Sequence, residues 1–450
     1  MDKNHTITIL GTGYVGLTTA ALLAHSGYRV YAVEPNQTRL DVIKQGKSFF
    51  YEKGLDPVIA AALEKGSLIP TDSYEVSVPA SSIVFSCVGT PDNPDGSSNL
   101  TYVFSAAEEA GRLMAPDTIY VQKSTVPVGT GARIEESFAK LGKAISYVSN
   151  PEFLREGTAL QDTLFFDRIV VGGNDHHATG QVLELYRALE ASRTAIAAIA
   201  GVDSAPQKGE YITTSLSSAE LIKVTANAFL ALKISFANSI AKLADTVGAD
   251  VVEVMNGVGA DERIGRAFLH AGRGYGGGCF PKDVSGLIAS GLDHGVDLTI
   301  MTAAQAVNDS MPGYIIEKLQ RQLGDTLTDK HVAILGLAFK AGTSDVRRSP
   351  GIALANMLTR AGAIVTAYDP QAREEAADTL TAGVTQHDSI DAAITGADAV
   401  IVATEWPEFI EYPAAQYAAT MQGTLVVDAI NRLDSSDIQA AGLTYIGVGR

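Results

Sequence analysis

Short β-branched and apolar runs alternate with segments of helical periodicity at both ends of this chain, and that alternation constrains its fold more than any other feature. Residues 6–10 (TITIL), 29–33 (RVYAV), 82–88 (SIVFSCV), 118–123 (TIYVQK) and 145–150 (ISYVSN) read as strands, with a first helix over 14–26. The pattern returns at 331–339 (HVAILGLAF), 363–370 (AIVTAYDP), 397–406 (ADAVIVATEW) and 424–430 (TLVVDAI). Strands separated by helices pair in parallel and are covered on both faces. From about Ser215 to Val247 the chain is instead apolar at helical spacing, without proline or internal glycine. That is much longer than an ordinary helix of about 11–12 residues, and it predicts a central spine, a dimer interface or a buried core helix. The expectation is therefore an α/β protein: two Rossmann-like, doubly wound parallel-sheet domains (1–205 and 311–450) joined by a helical region (206–310) with one long helix.

Composition narrows the function classes. With 450 residues, 46% of them hydrophobic and 19% charged, the chain can bury a core in each domain. A net charge of −17 repels phosphate polymers and argues against nucleic-acid binding. Two cysteines, Cys87 and Cys279, cannot form a disulfide framework. MDKNHTITIL runs directly into a strand-like stretch without a basic leader and cleavage site. The apolar stretch 10–33 is interrupted by His25 and Arg29, and no uncharged run is long enough to span a bilayer. A cytoplasmic protein without a metal centre or membrane partner is expected.

Gly11, Gly13 and Gly16 have the G-x-G-x-x-G spacing directly after a strand and at the start of a helix. The first glycine permits the tight turn, the second lets a pyrophosphate approach the backbone, and the third lets helix and strand pack closely. The N-terminus of that helix would then face the anion with backbone N–H groups and a partial positive charge. Glu34 ends the second strand, where a carboxylate binds ribose hydroxyls and repels a 2′-phosphate, favouring NAD over NADP. Arg39 lies close by, where it could stack on adenine or pair with a phosphate. The second α/β segment carries Gly336 but not the remainder of the fingerprint, so a second dinucleotide is not expected; Asp369 ends its second strand, where it could contact a sugar or ribose, and such a domain could hold the nucleotide half of a substrate.

The most informative stretch is GRGYGGGCFPKD (272–283). Gly274 and Gly276 to Gly278 free the backbone to approach a ligand. Cys279 follows, and Pro281 suits the first turn of a helix. A thiol at a helix N-terminus beside Lys282 gains thiolate character, and Asp283, four residues on, would share its face. The plainer reading, a small inert core thiol, fits Cys87 better. Glu152 and Glu156, and Lys223 and Asn227, are each four apart, so each pair would share one helix face.

Taken together these motifs are similar to those of the nucleotide-sugar dehydrogenases, over essentially the whole chain and in order: GTGYVG, VGTPDNPDGSSNL, STVPVGT, NPEFLREGTA, AELIKVTANAFLALKISFAN, DERIGRAFLHAGRGYGGGCFPKD, LGLAFKAGTSDVRRSP and DAINR. One departure is Gly278, where many relatives carry serine. The resemblance implies that Gly11, Gly13, Tyr14, Val15, Gly16, Glu34, Arg39, Thr90, Thr125, Glu156, Lys282 and Arg347 hold NAD. It implies that Glu152, Phe153, Leu154, Lys223, Asn227, Arg263, Phe268, Gly274, Tyr275, Phe339, Lys340 and Arg432 hold UDP-glucose, Arg263 from a neighbouring subunit. It further implies Cys279, Lys223, Asn227, Asp283, Glu152 and Thr125 as catalytic residues, oxidation to UDP-glucuronate, and a homodimer or higher homo-oligomer. The competing expectations are a dehydrogenase for another sugar nucleotide (a UDP-N-acetylhexosamine or GDP-mannose), a simple 3-hydroxyacid dehydrogenase, which needs no cysteine, and a non-catalytic NAD-binding regulator.

Overall fold

The computed structural model describes residues 5–203 and 209–450, which fall into two compact units, 1–226 and 227–450. The expected boundary between residues 205 and 206 lies outside the described residues.

The first unit is built on one eight-stranded sheet. Its strands are β1 (Thr6–Leu10), β2 (Arg29–Val33), β3 (Leu68–Thr71), β4 (Ile83–Ser86), β5 (Ile119–Gln122), β6 (Ser146–Ser149), β7 (Arg168–Gly173) and β8 (Glu210–Thr214), ordered β3-β2-β1-β4-β5-β6-β7-β8. Side chains alternate across it. Ile7, Ile9, Val30, Ala32, Phe85 and Val121 join one buried cluster, while Leu10, Val33, Val84, Tyr120 and Tyr147 join another. Both faces are covered, which is why these strands read as nearly continuous apolar runs. The sheet departs from the expected all-parallel form at one place. The connection from β6 holds only the short helix Ala159–Leu164, and β7 pairs with β6 antiparallel. Parallel pairing resumes from β7 to β8 across the intervening helix His176–Ala200.

The second unit carries a six-stranded parallel sheet: β9 (His331–Leu335), β10 (Ile364–Tyr368), β11 (Val384–Gln386), β12 (Ala399–Val402), β13 (Leu425–Asp428) and β14 (Thr444–Gly447). Its order, β11-β10-β9-β12-β13-β14, repeats the winding of the first six strands of the other sheet. The likeness extends to atoms. Gly11 N–H donates to the Val33 carbonyl at 3.0 Å and Gly336 N–H to the Tyr368 carbonyl at 2.9 Å. Both glycines have positive φ, +86° and +111°. A Cβ on Gly16 would lie 2.0 Å from the Gly11 carbonyl oxygen, and one on Gly351 would lie 2.2 Å from that of Gly336. The closing glycine of the fingerprint is therefore present in the second sheet. It follows Gly336 by 15 residues instead of the 5 that separate Gly11 and Gly16, which hides it from a spacing search.

The long helix forms as expected, over Leu216–Val247. Ala231, Ala237, Ala241 and Ala244 are buried. Gly449 sits so close that a Cβ on it would meet Ala241 at 2.7 Å, so small residues set that packing distance. Among the described residues this is the one helix long and apolar enough to cross a membrane, and half of its most apolar window is buried within the protein. It also carries Glu220, Lys223, Lys233, Lys242 and Asp245.

Replacing an exposed helical glycine by alanine normally stabilises by up to about 1 kcal/mol. Gly351→Ala should do the opposite, because its methyl would strike the Gly336 carbonyl. A loss of about 1–3 kcal/mol is expected, measurable as an earlier transition in denaturant unfolding, and an unchanged midpoint would show that the helix can shift without cost.

Candidate active site

In the first unit the candidate groups gather beyond the carboxyl ends of parallel strands. Gly11 follows β1, Glu34 follows β2, Thr90 lies beyond β4 and Thr125 beyond β5. They flank the place where strand order reverses, between β1 and β4, which is where open α/β sheets take ligands. The helix Tyr14–His25 starts there with Gly13 at its N-cap and no side-chain cap. A Cβ on Gly13 would meet nothing within 4 Å, so that position keeps an open approach to the backbone. Glu34 is buried. Its carboxylate accepts a bond from the Thr12 hydroxyl and another from Asn36 N–H at 2.9 Å, which aims it at the glycine loop. Arg39 is exposed and lies 4.8 Å from the centre of the Phe49 ring.

Glu152 and Lys223 form a buried ion pair at 3.0 Å, with side chains 5% and 4% exposed. Glu152 also accepts from Leu154 N–H at 2.5 Å. The Phe153 ring has the Arg168 guanidinium 4.0 Å and the Lys223 ammonium 5.4 Å from its centre. The expectation that Glu152 and Glu156 share a helical face is overturned. Residues 151–155 have no regular structure and Glu156 falls in a turn, so no helix exists there to give the two carboxylates a common face. Lys223 and Asn227 do lie on one helix.

In the second unit Cys279 is the N-cap of the helix Phe280–Asp293, with Pro281 in its first turn. Asp283 N–H bonds to the Cys279 carbonyl at 2.8 Å. The buried Asp283 carboxylate accepts from Asn227 Nδ2 at 2.6 Å and from Lys282 Nζ at 2.6 Å. Two of the approaching glycines need their freedom: Gly274 and Gly277 have φ of +93° and +84°. At Gly278 a Cβ would lie 2.4 Å from the Arg347 guanidinium carbon, so a side chain there would displace the end of Arg347. That guanidinium is itself held by Asp345 at 2.7 Å.

A cavity of about 250 Å³ in this unit is lined by residues that include Gly274, Tyr275, Phe339, Lys340 and Arg432. Phe268 has φ +61° and packs on Phe280 with ring centres 5.9 Å apart. Arg263 is largely exposed and paired with Asp261. The cavity also has His270, Arg273 and Glu405 in its wall, which sequence reasoning missed. Arg273 is buried, donates to the Phe339 carbonyl at 2.6 Å and meets Glu405 at 3.3 Å. Burial pulls its pKa down, and burial followed by the Arg432 charge pulls His270 down. The signal was an arginine inside a glycine run, where a long cation needs a specific partner. Asp369, by contrast, has its carboxylate engaged by the N–H groups of Leu337, Ala338, Gln371 and Ala372 at 2.8–2.9 Å, so it shapes a turn.

Residues 5–190, 217–310 and 333–435 match, respectively, the NAD binding, central and UDP binding domains of one family. The chain belongs to the UDP-glucose/GDP-mannose dehydrogenase family. It is 38% identical to a UDP-glucose 6-dehydrogenase of Rhizobium meliloti, over 99% of both chains. It superimposes on a UDP-glucose dehydrogenase from Pyrobaculum islandicum with a TM-score of 0.89 at 37% identity, covering 99% of this chain and 98% of that one. A UDP-D-ManNAc dehydrogenase from Pyrococcus horikoshii gives 0.85 at 26% identity, covering 99% of each. Membership makes the glycine loop part of an NAD-binding domain and the second sheet part of a UDP-binding domain.

Two thiols in one dehydrogenase of this family should differ sharply in reactivity. Burial pushes the Cys87 thiol up to about 12, whereas Cys279 caps a helix N-terminus, a position that favours thiolate. Iodoacetamide at pH 8 should therefore label Cys279 in the folded protein and Cys87 only after unfolding. Peptide mass mapping reads this out, and equal labelling of both would refute the distinction.

Proposed function

We propose that this chain oxidises UDP-glucose to UDP-glucuronate in two steps that each reduce one NAD, with Cys279 as covalent nucleophile. The observation that carries the reading is the N-cap position of Cys279 on a helix whose first turn bears Asp283 hydrogen-bonded to Asn227. A one-step alcohol dehydrogenase has no use for that sulfur.

The residues fit the cofactor: Gly13 leaves open backbone before a helix N-terminus, and Glu34 offers a carboxylate for ribose. Gly11, Gly13, Tyr14, Val15 and Gly16 would hold the pyrophosphate, with Arg39, Thr90, Thr125, Glu156, Lys282 and Arg347 completing the NAD contacts. NAD when bound supplies the hydride acceptor for each oxidation. Phe153, Leu154, Phe268, Gly274, Tyr275, Phe339, Lys340 and Arg432 would hold UDP-glucose, the two cations meeting its diphosphate, with Arg263 serving a neighbouring subunit. In domain terms this assigns 1–205 to NAD, 206–310 to the catalytic helices and 311–450 to the UDP-sugar, in a cytoplasmic enzyme.

The chain's own chemistry follows from these positions. Asp283, through water, takes the proton of the C6 hydroxyl as the alcohol becomes an aldehyde. Lys223 and Asn227 donate to the oxygen as negative charge develops on it. An aldehyde carbon cannot lose a further hydride until it is tetrahedral. The Cys279 thiolate adds to it, forming a C–S bond and a thiohemiacetal. Loss of the second hydride leaves a thioester, and water activated by Glu152 or Asp283 cleaves the C–S bond, returning the thiol and releasing the carboxylate.

Wild-type protein should yield two NADH per UDP-glucose by absorbance. Cys279→Ser should stop short of net acid formation. Two NADH per sugar from that variant would remove sulfur from the mechanism. A sugar-nucleotide panel in the same assay separates UDP-glucose from UDP-N-acetylhexosamines and GDP-mannose.

A homodimer is part of the same reading. Phe229, Phe236, Leu243 and Val247 of the long helix are 59%, 47%, 57% and 65% exposed, at spacings of seven, seven and four residues. A row of that length on one helix face matches a self-complementary contact. Phe236→Glu should shift sedimentation toward the monomer; an unchanged sedimentation coefficient would assign that face elsewhere.

A further inference from the structure

We propose that Glu220 is a positioning residue: by accepting the N–H groups of Gly129 and Gly131, its carboxylate holds the loop that carries Thr125 and the helix turn that carries Lys223 at one fixed height. The inference rests on the reading above, in which Lys223 acts on the reacting oxygen.

Glu220 is 2% exposed. Its Oε2 accepts from Gly129 N–H and its Oε1 from Gly131 N–H, both at 2.8 Å, across about ninety residues of sequence. Those N–H groups open the helix Thr130–Lys140, whose N-cap, Gly129, has φ +91° and no side-chain cap of its own. Glu220 supplies the missing cap from another element. The same helix turn docks at two more points. A Cβ on Gly131 would meet Tyr147 at 2.5 Å and Leu216 at 2.9 Å, and one on Gly172 would meet Ala219 at 2.5 Å. No slack remains for a sideways shift. Lys223, three residues on, then reaches Glu152 at 3.0 Å. A carboxylate offers a separate acceptor oxygen to each N–H; an isosteric amide in the same pose would turn its NH2 donor toward one of them.

The charged and titratable groups facing Glu220 are Glu135 on the helix Thr130–Lys140 and Tyr147 on β6. Burial, opposed by the two N–H bonds and reinforced by Glu135, raises the Glu220 pKa to about 7. The ordinary value is lower, so between about pH 4.5 and pH 7 the folded protein holds a proton there that the unfolded chain has released. Stability from this group is therefore full below the unfolded pKa, near 4.5, and falls as pH rises toward 7. Alignment runs the other way, because both N–H groups are well satisfied only by the ionised form.

Glu220→Gln tests this with two readouts. At pH 8 its kcat should fall by about 10- to 100-fold, the effect of a misplacement near 1 Å, with KM for both substrates within about threefold. Wild-type kcat should rise through about pH 7 as Glu220 ionises, and that limb should be absent from the variant. Separately, the decline in wild-type Tm relative to the variant between pH 5 and pH 8 should identify Glu220 as the titrating group without any reference to activity. A folded variant with wild-type kcat and pH profile overturns the proposal. If the glutamine variant does not fold, Glu220→Asp decides: it keeps the charge but cannot span both N–H groups, so kcat should fall, and a wild-type kcat overturns the proposal. Lys223→Ala run in parallel separates the two claims. Loss of activity there with a normal Glu220→Gln sinks the positioning role alone, and normal activity in both sinks the functional reading with it.

Discussion

A carboxylate taken out of water must find donors to replace it, and much of this structure is arranged around that requirement. Glu34, Glu152, Glu220, Asp283, Asp369 and Asp428 are all buried, and each is met by specific N–H, O–H or ammonium groups. Glu34 takes Thr12 and Asn36, and Asp428 takes Leu433, Ile430 and Tyr445. Removing one partner of a buried charge costs about 3–5 kcal/mol, a large share of a domain's net stability of about 5–15 kcal/mol. The loops that hold these donors are therefore as constrained as the core, although they lie at strand ends.

The constraint links fold to chemistry. Parallel strands deliver their carboxyl ends to one edge of a sheet, and helices begin there with unsatisfied N–H groups. Glycines at Gly11 and Gly336 make the turn, and Gly16 and Gly351 let the helix close on it. What differs between the sheets is the loop between those glycines. Four residues intervene in the first, leaving an open helix N-terminus suited to pyrophosphate. In the second a longer loop carries Phe339, Lys340 and Arg347. One winding thus presents two different surfaces, consistent with the NAD binding and UDP binding domains of the family.

Much of the site was legible from local pattern. The nucleotide fingerprint, Glu34 and the cysteine loop are short-range signals, because backbone conformation at glycine and proline is set by the residue itself. The helical pairing of Lys223 with Asn227 was legible for the same reason. Glu152 with Glu156 was not, since i,i+4 spacing implies a shared face only where a helix exists. Arg273, His270 and Glu405 also escaped, as the first two meet Glu405 only through a fold that joins residues more than a hundred positions apart.

The sequence alone determined two wound α/β segments, a long intervening helix, a dinucleotide loop and a thiol at a helix start, because periodicity and glycine spacing act over a few residues. Only the tertiary structure decided which partner meets each buried carboxylate: Lys223 for Glu152, Asn227 for Asp283, and the N–H groups of Gly129 and Gly131 for Glu220. Compensation of a desolvated charge depends on distance in space, and nothing in a linear pattern of residues encodes that distance.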